Sequence, residues 1–244
     1  MNEKKYVLVL GLLILMMCFS CQSDPSFTFE IPSEGFQVVQ HLPKESKERK
    51  NNVLYLTPRP IKAKEFGSPD LNRFIDSMYS VMLRTAGVGI AANQLGKRLQ
   101  IFMIEAKVDN PRYQVLGPVE KQIFINPVIT KVSEKRKNFW HGCLSAKGEK
   151  RGNVATFEWI EYECLNPDGT QRKGRLEGFG AVIFQHEYRH LMKGTYMDRA
   201  NHFVEREELN KRIDAGELPF FEYAKDTLPL LIKDYELGKK LEDY

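Results

Sequence analysis

The chain has only four cysteines in 244 residues, Cys18, Cys21, Cys143 and Cys164. Two of them lie in the N-terminal segment treated below, so at most one disulfide, Cys143 with Cys164, can form in the rest. It has no apolar run long enough for a comfortable membrane span: the longest, residues 6–19, is about 14 residues against the roughly 20 that a bilayer needs. It has no dense basic tract with interleaved aromatics, and its formal charge of +4 comes from scattered Lys and Arg. That excludes the usual signature of a nucleic-acid binder. It has no internal repeat. Its stretch of small residues over 87–96 lacks a preceding strand and a closing Lys-Ser/Thr, which argues against a phosphate loop.

What is present is enough for one good domain with extras, since 42% of the residues are hydrophobic. The first twenty residues read as a targeting segment. Lys4 and Lys5 precede the apolar run, which has the length of a signal h-region and ends in Ser20-Cys21 before polar Gln22-Ser23. A small residue before a cysteine at this point resembles a bacterial lipobox. Residues 1–20 are therefore expected to be a lipoprotein signal peptide and Cys21 the lipidated N-terminus of an exported, envelope-anchored protein. Residues 21–52 are polar and charged and read as a tether, with one short strand expected near 36–39.

A catalytic domain is expected over 53–203. Ser68-Pro69-Asp70 is a helix start, and Leu71, Phe74, Ile75, Met78, Val81 and Met82 form one apolar stripe. Gly87 is expected to end that helix. Residues 100–105, 122–131 and 154–165 read as strands, and Asn166-Pro167-Asp168-Gly169 begins a hairpin return through 172–176. Helix, strands, then helix predict an α+β fold. Residues 204–244 read as a helical extension.

The chemistry sits in Gln185-His186-Glu187-Tyr188-Arg189-His190. Phe179, Val182, Ile183, His186 and His190 follow a helical stripe, so both imidazoles share one face and can grip one metal ion. Glu187 is placed to act as general base on a water that the ion activates.

Two further stretches, Gly87-Val88-Gly89-Ile90-Ala91-Ala92-Asn93-Gln94 and His141-Gly142-Cys143-Leu144-Ser145, precede it. Together the three resemble, in order and rough spacing, the GxGxAAxQ, EGCLS and HExxH motifs of peptide deformylases. The resemblance covers about residues 53–203. It implies antiparallel sheets around a central HExxH helix, and a single ion held by Cys143, His186 and His190. That ion would be iron(II), with zinc, nickel or cobalt as substitutes. It implies catalytic roles for Glu187, the Gln94 amide and the Leu144 N–H in removing formyl from formyl-methionyl peptides. The methionine pocket would be walled by Val88, Phe139, Phe179, Val182 and Ile183. Gly89 and Gly142 would hold the peptide as an added strand, with Arg151 near it. The protein is expected to be a monomer and to bind no nucleic acid.

Three positions depart from the family pattern: His141 stands for a glutamate, Arg189 for an aspartate and Asn93 for a proline or similar residue. The first removes a carboxylate partner from the arginine matched by Arg151. Two other readings stay open, an exported metallo-amidase or peptidase of other specificity, and a non-catalytic lipoprotein that binds peptide or metal.

Overall fold

The computed structural model describes residues 24–107, 116–148, 150–217, 227–231 and 237–241. The expected signal peptide and Cys21 lie outside them, as does much of the C-terminal extension. Among the described residues no helix is long and apolar enough to cross a membrane.

Helix α1 spans Pro69–Arg84 and begins as its sequence requires. The Ser68 hydroxyl accepts from the Leu71 N–H at 3.2 Å, Pro69 opens the first turn, and the six stripe residues are all buried. The stop differs from expectation. Ala86, not Gly87, takes the left-handed conformation, with φ 51°. Gly87 instead packs closely on the Leu144 side chain: a Cβ there would stand 2.9 Å from Leu144 Cδ1.

Eight strands follow: β1 Gly89–Ala91, β2 Ile101–Ala106, β3 Val119–Val132, β4 Arg136–His141, β5 Arg151–Phe157, β6 Trp159–Leu165, β7 Gln171–Glu177 and β8 His202–Val204. They form a five-stranded sheet, β1-β2-β3-β6-β7, and a three-stranded sheet, β4-β5-β8, in which every pairing is antiparallel. Helix α2, Gly178–Leu191, packs against strands of both sheets, and α3 is Arg206–Asp214. The α+β class is as expected.

Strand β2 explains the layering. Ile101 and Met103 face the core that contains α1, whereas Phe102 and Ile104 face the core that contains α2. A strand buried on both faces is a continuous apolar run, not an alternating one. On the α2 side Phe184 stands edge-on to Phe102 and Phe124, at 5.0 and 4.9 Å between centroids. Burying each such side chain contributes about 1.5–3 kcal/mol. The large sheet is thus held between the two helices, and α2 is fixed as a rigid, fully packed element.

Three expectations need correction. The strand expected over 154–165 is two strands in different sheets. The chain crosses over at Glu158, whose N–H donates to Ser133 Oγ at 2.8 Å and whose carbonyl accepts from Gly178 N at 3.2 Å. Secondly, residues 24–52 are not a free tether, and no strand forms at 36–39. Phe36 is buried beside Phe74, Val39 N–H donates to the Gln94 carbonyl at 2.8 Å, and His41 N–H to the Ser145 carbonyl at 2.6 Å. Arg49 pairs with Asp198 at 2.6 Å and lies 3.5 Å over the Tyr55 ring. Thirdly, the extension after 203 holds one helix among its described residues, and its residues 228–230 run along β5 through a bridge from Pro229 to Ala155. Cys143 and Cys164 are both free thiols. The hairpin after β6 is as expected: Gly169 has φ 86° and its N–H reaches the Asn166 carbonyl at 2.8 Å.

Candidate metal centre and active site

Helix α2 carries His186 and His190 one turn apart, both buried, with ring centroids 5.3 Å apart. The loop after β4 brings Cys143 to them, and its Sγ lies 3.2 Å from His190 Nε2. The three donor atoms all fall within 4.8 Å of one another. A thiolate and two imidazoles bind a tetrahedral ion at about 2.0–2.3 Å, which separates donors by comparable distances, and leave a fourth position open.

The electrostatics fit a cation. Burial pushes the Cys143 thiol up to about 12, with the Glu187 carboxylate adding to it. Burial also lowers His186 to about 4 and His190 well below the ordinary imidazole value. Both rings are therefore neutral and offer lone pairs, and only a positive charge would draw the proton from the thiol. Burial alone raises the Glu187 carboxyl well above the usual range, and its Oε2 has no hydrogen-bond partner among the described residues. The group is sealed in, with one oxygen aimed at no protein donor.

Gln94 is oriented by its own backbone. Its Oε1 accepts from the Ala91 N–H at 2.8 Å, which turns Nε2 toward Cys143 Sγ at 3.3 Å and Ser145 Oγ at 3.1 Å. Asn93 Nδ2 donates to the His190 carbonyl at 2.7 Å and so ties the same turn to the end of α2. The Leu144 N–H, next to Cys143, has no acceptor among the described residues, while its carbonyl accepts from Gln40 Nε2 at 3.2 Å. Gly89 leaves no room for a Cβ because the Glu187 carboxylate occupies that space, and Gly142 none because the Arg151 guanidinium does. A Cβ at either position would displace the side chain that now lies across the glycine.

A cavity of about 310 Å³ opens here. Its lining contains Val88, Gly89, Gln94, Phe139, Gly142, Cys143, Leu144, Arg151, Phe179, Val182, Ile183, His186 and Glu187. Every expected site residue thus lines the cavity except His190, whose Nε2 is 3.2 Å from Cys143 Sγ, and Cys21, outside the described residues. Sequence reasoning missed Trp140, Leu116, Thr85, Ala86 and Arg206, which also line it. Trp140 follows Phe139 and could have been found by that adjacency; Arg206 sits in no motif.

The departures from the family pattern have distinct surroundings. His141 is buried, with Nδ1 3.0 Å from His186 Nδ1 and the rings 8° from parallel. One of those nitrogens carries the hydrogen. If His186 gives Nε2 to an ion, it donates from Nδ1 and His141 accepts, which leaves the His141 hydrogen on Nε2, an atom buried without a partner among the described residues. Arg189 is also buried. Burial lowers its pKa, and the Asp198 carboxylate opposes this. The carboxylate that pairs with Arg49 at 2.6 Å thus also acts on the buried Arg189 cation at this end of α2.

Fold and site together define an α+β hydrolase with a place for one metal ion. The sequence profile described as "Polypeptide deformylase" matches residues 47–206. Peptide deformylase 2 of Pseudomonas putida is 36% identical over 152 residues, 62% of this chain and 84% of its own length. Peptide deformylase of Leptospira biflexa is 34% identical over 149 residues, 61% of this chain and 83% of its own. Among solved structures, the Met-Ala-Ser-bound class I type b peptide deformylase of Acinetobacter baumannii matches with a TM-score of 0.58 and 25% identity. That match covers 67% of this chain and 98% of that one. The Thermotoga maritima peptide deformylase matches with a TM-score of 0.55 and 26% identity, over 68% and 98%. The chain belongs to the polypeptide deformylase family, whose members work with a single divalent metal ion.

Proposed function

We propose that the protein hydrolyses the formyl amide of formyl-methionyl peptides, with α2 as the metal-binding helix around which the two sheets are arranged. The observation that carries this reading is the group of Cys143, His186 and His190 donors with Glu187 and Gln94 at its edge. Those three side chains would hold one ion, iron(II) natively with zinc, nickel or cobalt as substitutes, which would supply Lewis-acid activation of water and of the formyl oxygen.

The protein groups do the rest. Glu187 takes a proton from the attacking water as it adds to the formyl carbon. The Gln94 amide and the Leu144 N–H donate to the oxygen on which charge develops. Glu187 then delivers the proton to the amine nitrogen as the carbon–nitrogen bond breaks, and formate leaves. Val88, Phe139, Phe179, Val182 and Ile183 enclose the methionine side chain. The backbones of Gly89 and Gly142 hold the peptide as an added strand.

We also read the protein as a monomer, and as exported and lipid-anchored through Cys21, the last two on the support of Lys4, Lys5, the short apolar run and Ser20-Cys21. Mass spectrometry of the protein from membranes tests this: diacylglyceryl on Cys21 is expected, and an intact residue 1–20 segment would overturn it.

The catalytic reading is tested by metal content and formate together. Wild-type protein should hold one ion per chain and release formate. Glu187→Ala should keep the ion and release none. Cys143→Ala should lose both. Formate release by metal-free protein would overturn the reading.

A further inference from the structure

Resting on the deformylase reading, we propose that Gln40 is a positioning residue: with the backbone of its two neighbours it clamps together the two loops that carry the oxygen-binding donors, Gln94 and Leu144. Those loops come from distant parts of the chain. Gln94 lies in a single 3-10 turn, Ala92–Leu95, that follows β1, and Leu144 lies in the loop between β4 and β5. Neither belongs to a strand ladder. Three consecutive residues cross both. Val39 N–H donates to the Gln94 carbonyl at 2.8 Å, and His41 N–H donates to the Ser145 carbonyl at 2.6 Å. Between them the Gln40 side chain uses both ends of its amide. Its Nε2 donates to the Leu144 carbonyl at 3.2 Å and to the Val38 carbonyl at 2.9 Å, and its Oε1 accepts from the Lys147 N–H at 3.1 Å. Both amide hydrogens are thereby used, so the side chain has one orientation.

The clamp is itself anchored on both sides. Before it, Phe36 is buried against Phe74 of α1, and the Arg84 guanidinium donates to the Phe36 carbonyl. After it, Arg49 donates to the Leu42 carbonyl at 2.6 Å, and Asn52 Nδ2 donates to the Gln40 carbonyl at 2.9 Å. Gln40 is exposed and belongs to none of the hydrophobic cores, so its contribution is orientation and not burial. Orientation matters here because donors stabilise a developing charge only when they are aimed before the reaction begins. The Ala91 N–H and Ser145 Oγ already fix the Gln94 side chain within its own turn. The clamp fixes how that turn stands against the Leu144 backbone. Residues 38–42 precede residue 47, where the match to the family profile begins, so this support comes from outside the matched stretch.

The test is formate release from formyl-Met-Ala-Ala by the full, metal-loaded protein and its Gln40→Met and Gln40→Ala variants. Methionine keeps roughly the volume of glutamine and makes none of the three hydrogen bonds. Both variants should lose about tenfold in kcat, less than the roughly 100-fold or more that removal of an oxygen-binding donor itself costs. KM should stay as in wild type, because these donors act on charge that develops only in the transition state. Metal content and the urea unfolding midpoint should also stay. Gln37→Ala, an exposed position three residues earlier, should leave all four quantities unchanged. Wild-type kcat in Gln40→Met would overturn the inference, as would a loss carried by KM alone. A loss that comes with less bound metal or a lower unfolding midpoint would also overturn it, since that is what a merely structural residue gives. In each of these cases formate release by the wild-type protein would leave the deformylase reading intact. No formate from the wild-type protein would overturn the reading on which the inference rests.

Discussion

His141 and His186 face each other Nδ1 to Nδ1 at 3.0 Å, with their rings stacked 5.3 Å apart. A neutral imidazole thus stands behind one of the two rings proposed to hold the ion, where the family pattern has a carboxylate. A neutral acceptor fixes the tautomer as a carboxylate does, yet adds no negative charge to the ligand.

His141→Ala should therefore weaken metal binding by about 10–100-fold while the fold is retained. His141→Glu should bind at least as tightly as wild type, because it restores a charged acceptor beside Arg151. Competition with a chelating dye measures both. Equal affinity in the alanine variant and wild type would mean that His141 has no part in orienting His186.

Gly89→Ala puts a methyl group into the space of the Glu187 carboxylate. Displacement of a catalytic group by about 1 Å costs roughly 100-fold in rate. The expected outcome is that loss in kcat with metal content kept. Wild-type kcat would show that Glu187 does not need its present position.

Metal binding at neutral pH should release at least one proton per ion. In the folded protein without metal, Cys143 is held as a thiol by a pKa pushed up to about 12, while His186 and His190 are already neutral. Calorimetry of zinc binding in buffers of different ionisation enthalpy counts the protons. Zero release would contradict the protonated thiol.

Phe36→Ala should destabilise the fold by about 3 kcal/mol, since Phe36 is 3% exposed and packs on Phe74. Urea unfolding gives the value. A change within about 0.5 kcal/mol would be that of a surface or linker residue.

Asp198→Asn removes the carboxylate that Arg49 binds and that faces buried Arg189. A loss of about 3 kcal/mol is expected, as for a buried charge left without its partner. Replacing Arg189 by Met in that background should recover part of it. No recovery would place the cost on the other partners of Asp198, Arg49 and Thr195.

Much of this architecture is legible in the sequence because it is periodic. The stripe from Leu71 to Met82 and that from Phe179 to His190 fall on their helices, and Asn166-Pro167-Asp168-Gly169 makes its turn. The cavity is legible because three short motifs carry its donors. What was not legible depends on long-range packing. The change of sheet at Glu158 is hard to read, since the buried positions keep the same parity on either side of it, Val154 and Thr156 before and Ile160 and Tyr162 after. Residues 24–52 look like a linker because most of them are polar or charged and they end in a charged run over 44–50. They dock through a few anchors, Phe36, Val39, His41 and Arg49, whose partners lie far along the chain. Arg206 belongs to no motif, and only the pairing of β5 with β8 brings it to the cavity.

The most direct measurement is formate release from a formyl-Met peptide by the iron(II)-loaded protein, prepared without oxygen, beside the acetyl-Met analogue and the Glu187→Ala variant. The account requires formate from the formyl peptide, little turnover of the acetyl one, and none in the variant despite a bound ion. Formate that persists in Glu187→Ala, or a metal-loaded wild-type protein that releases none, would contradict it.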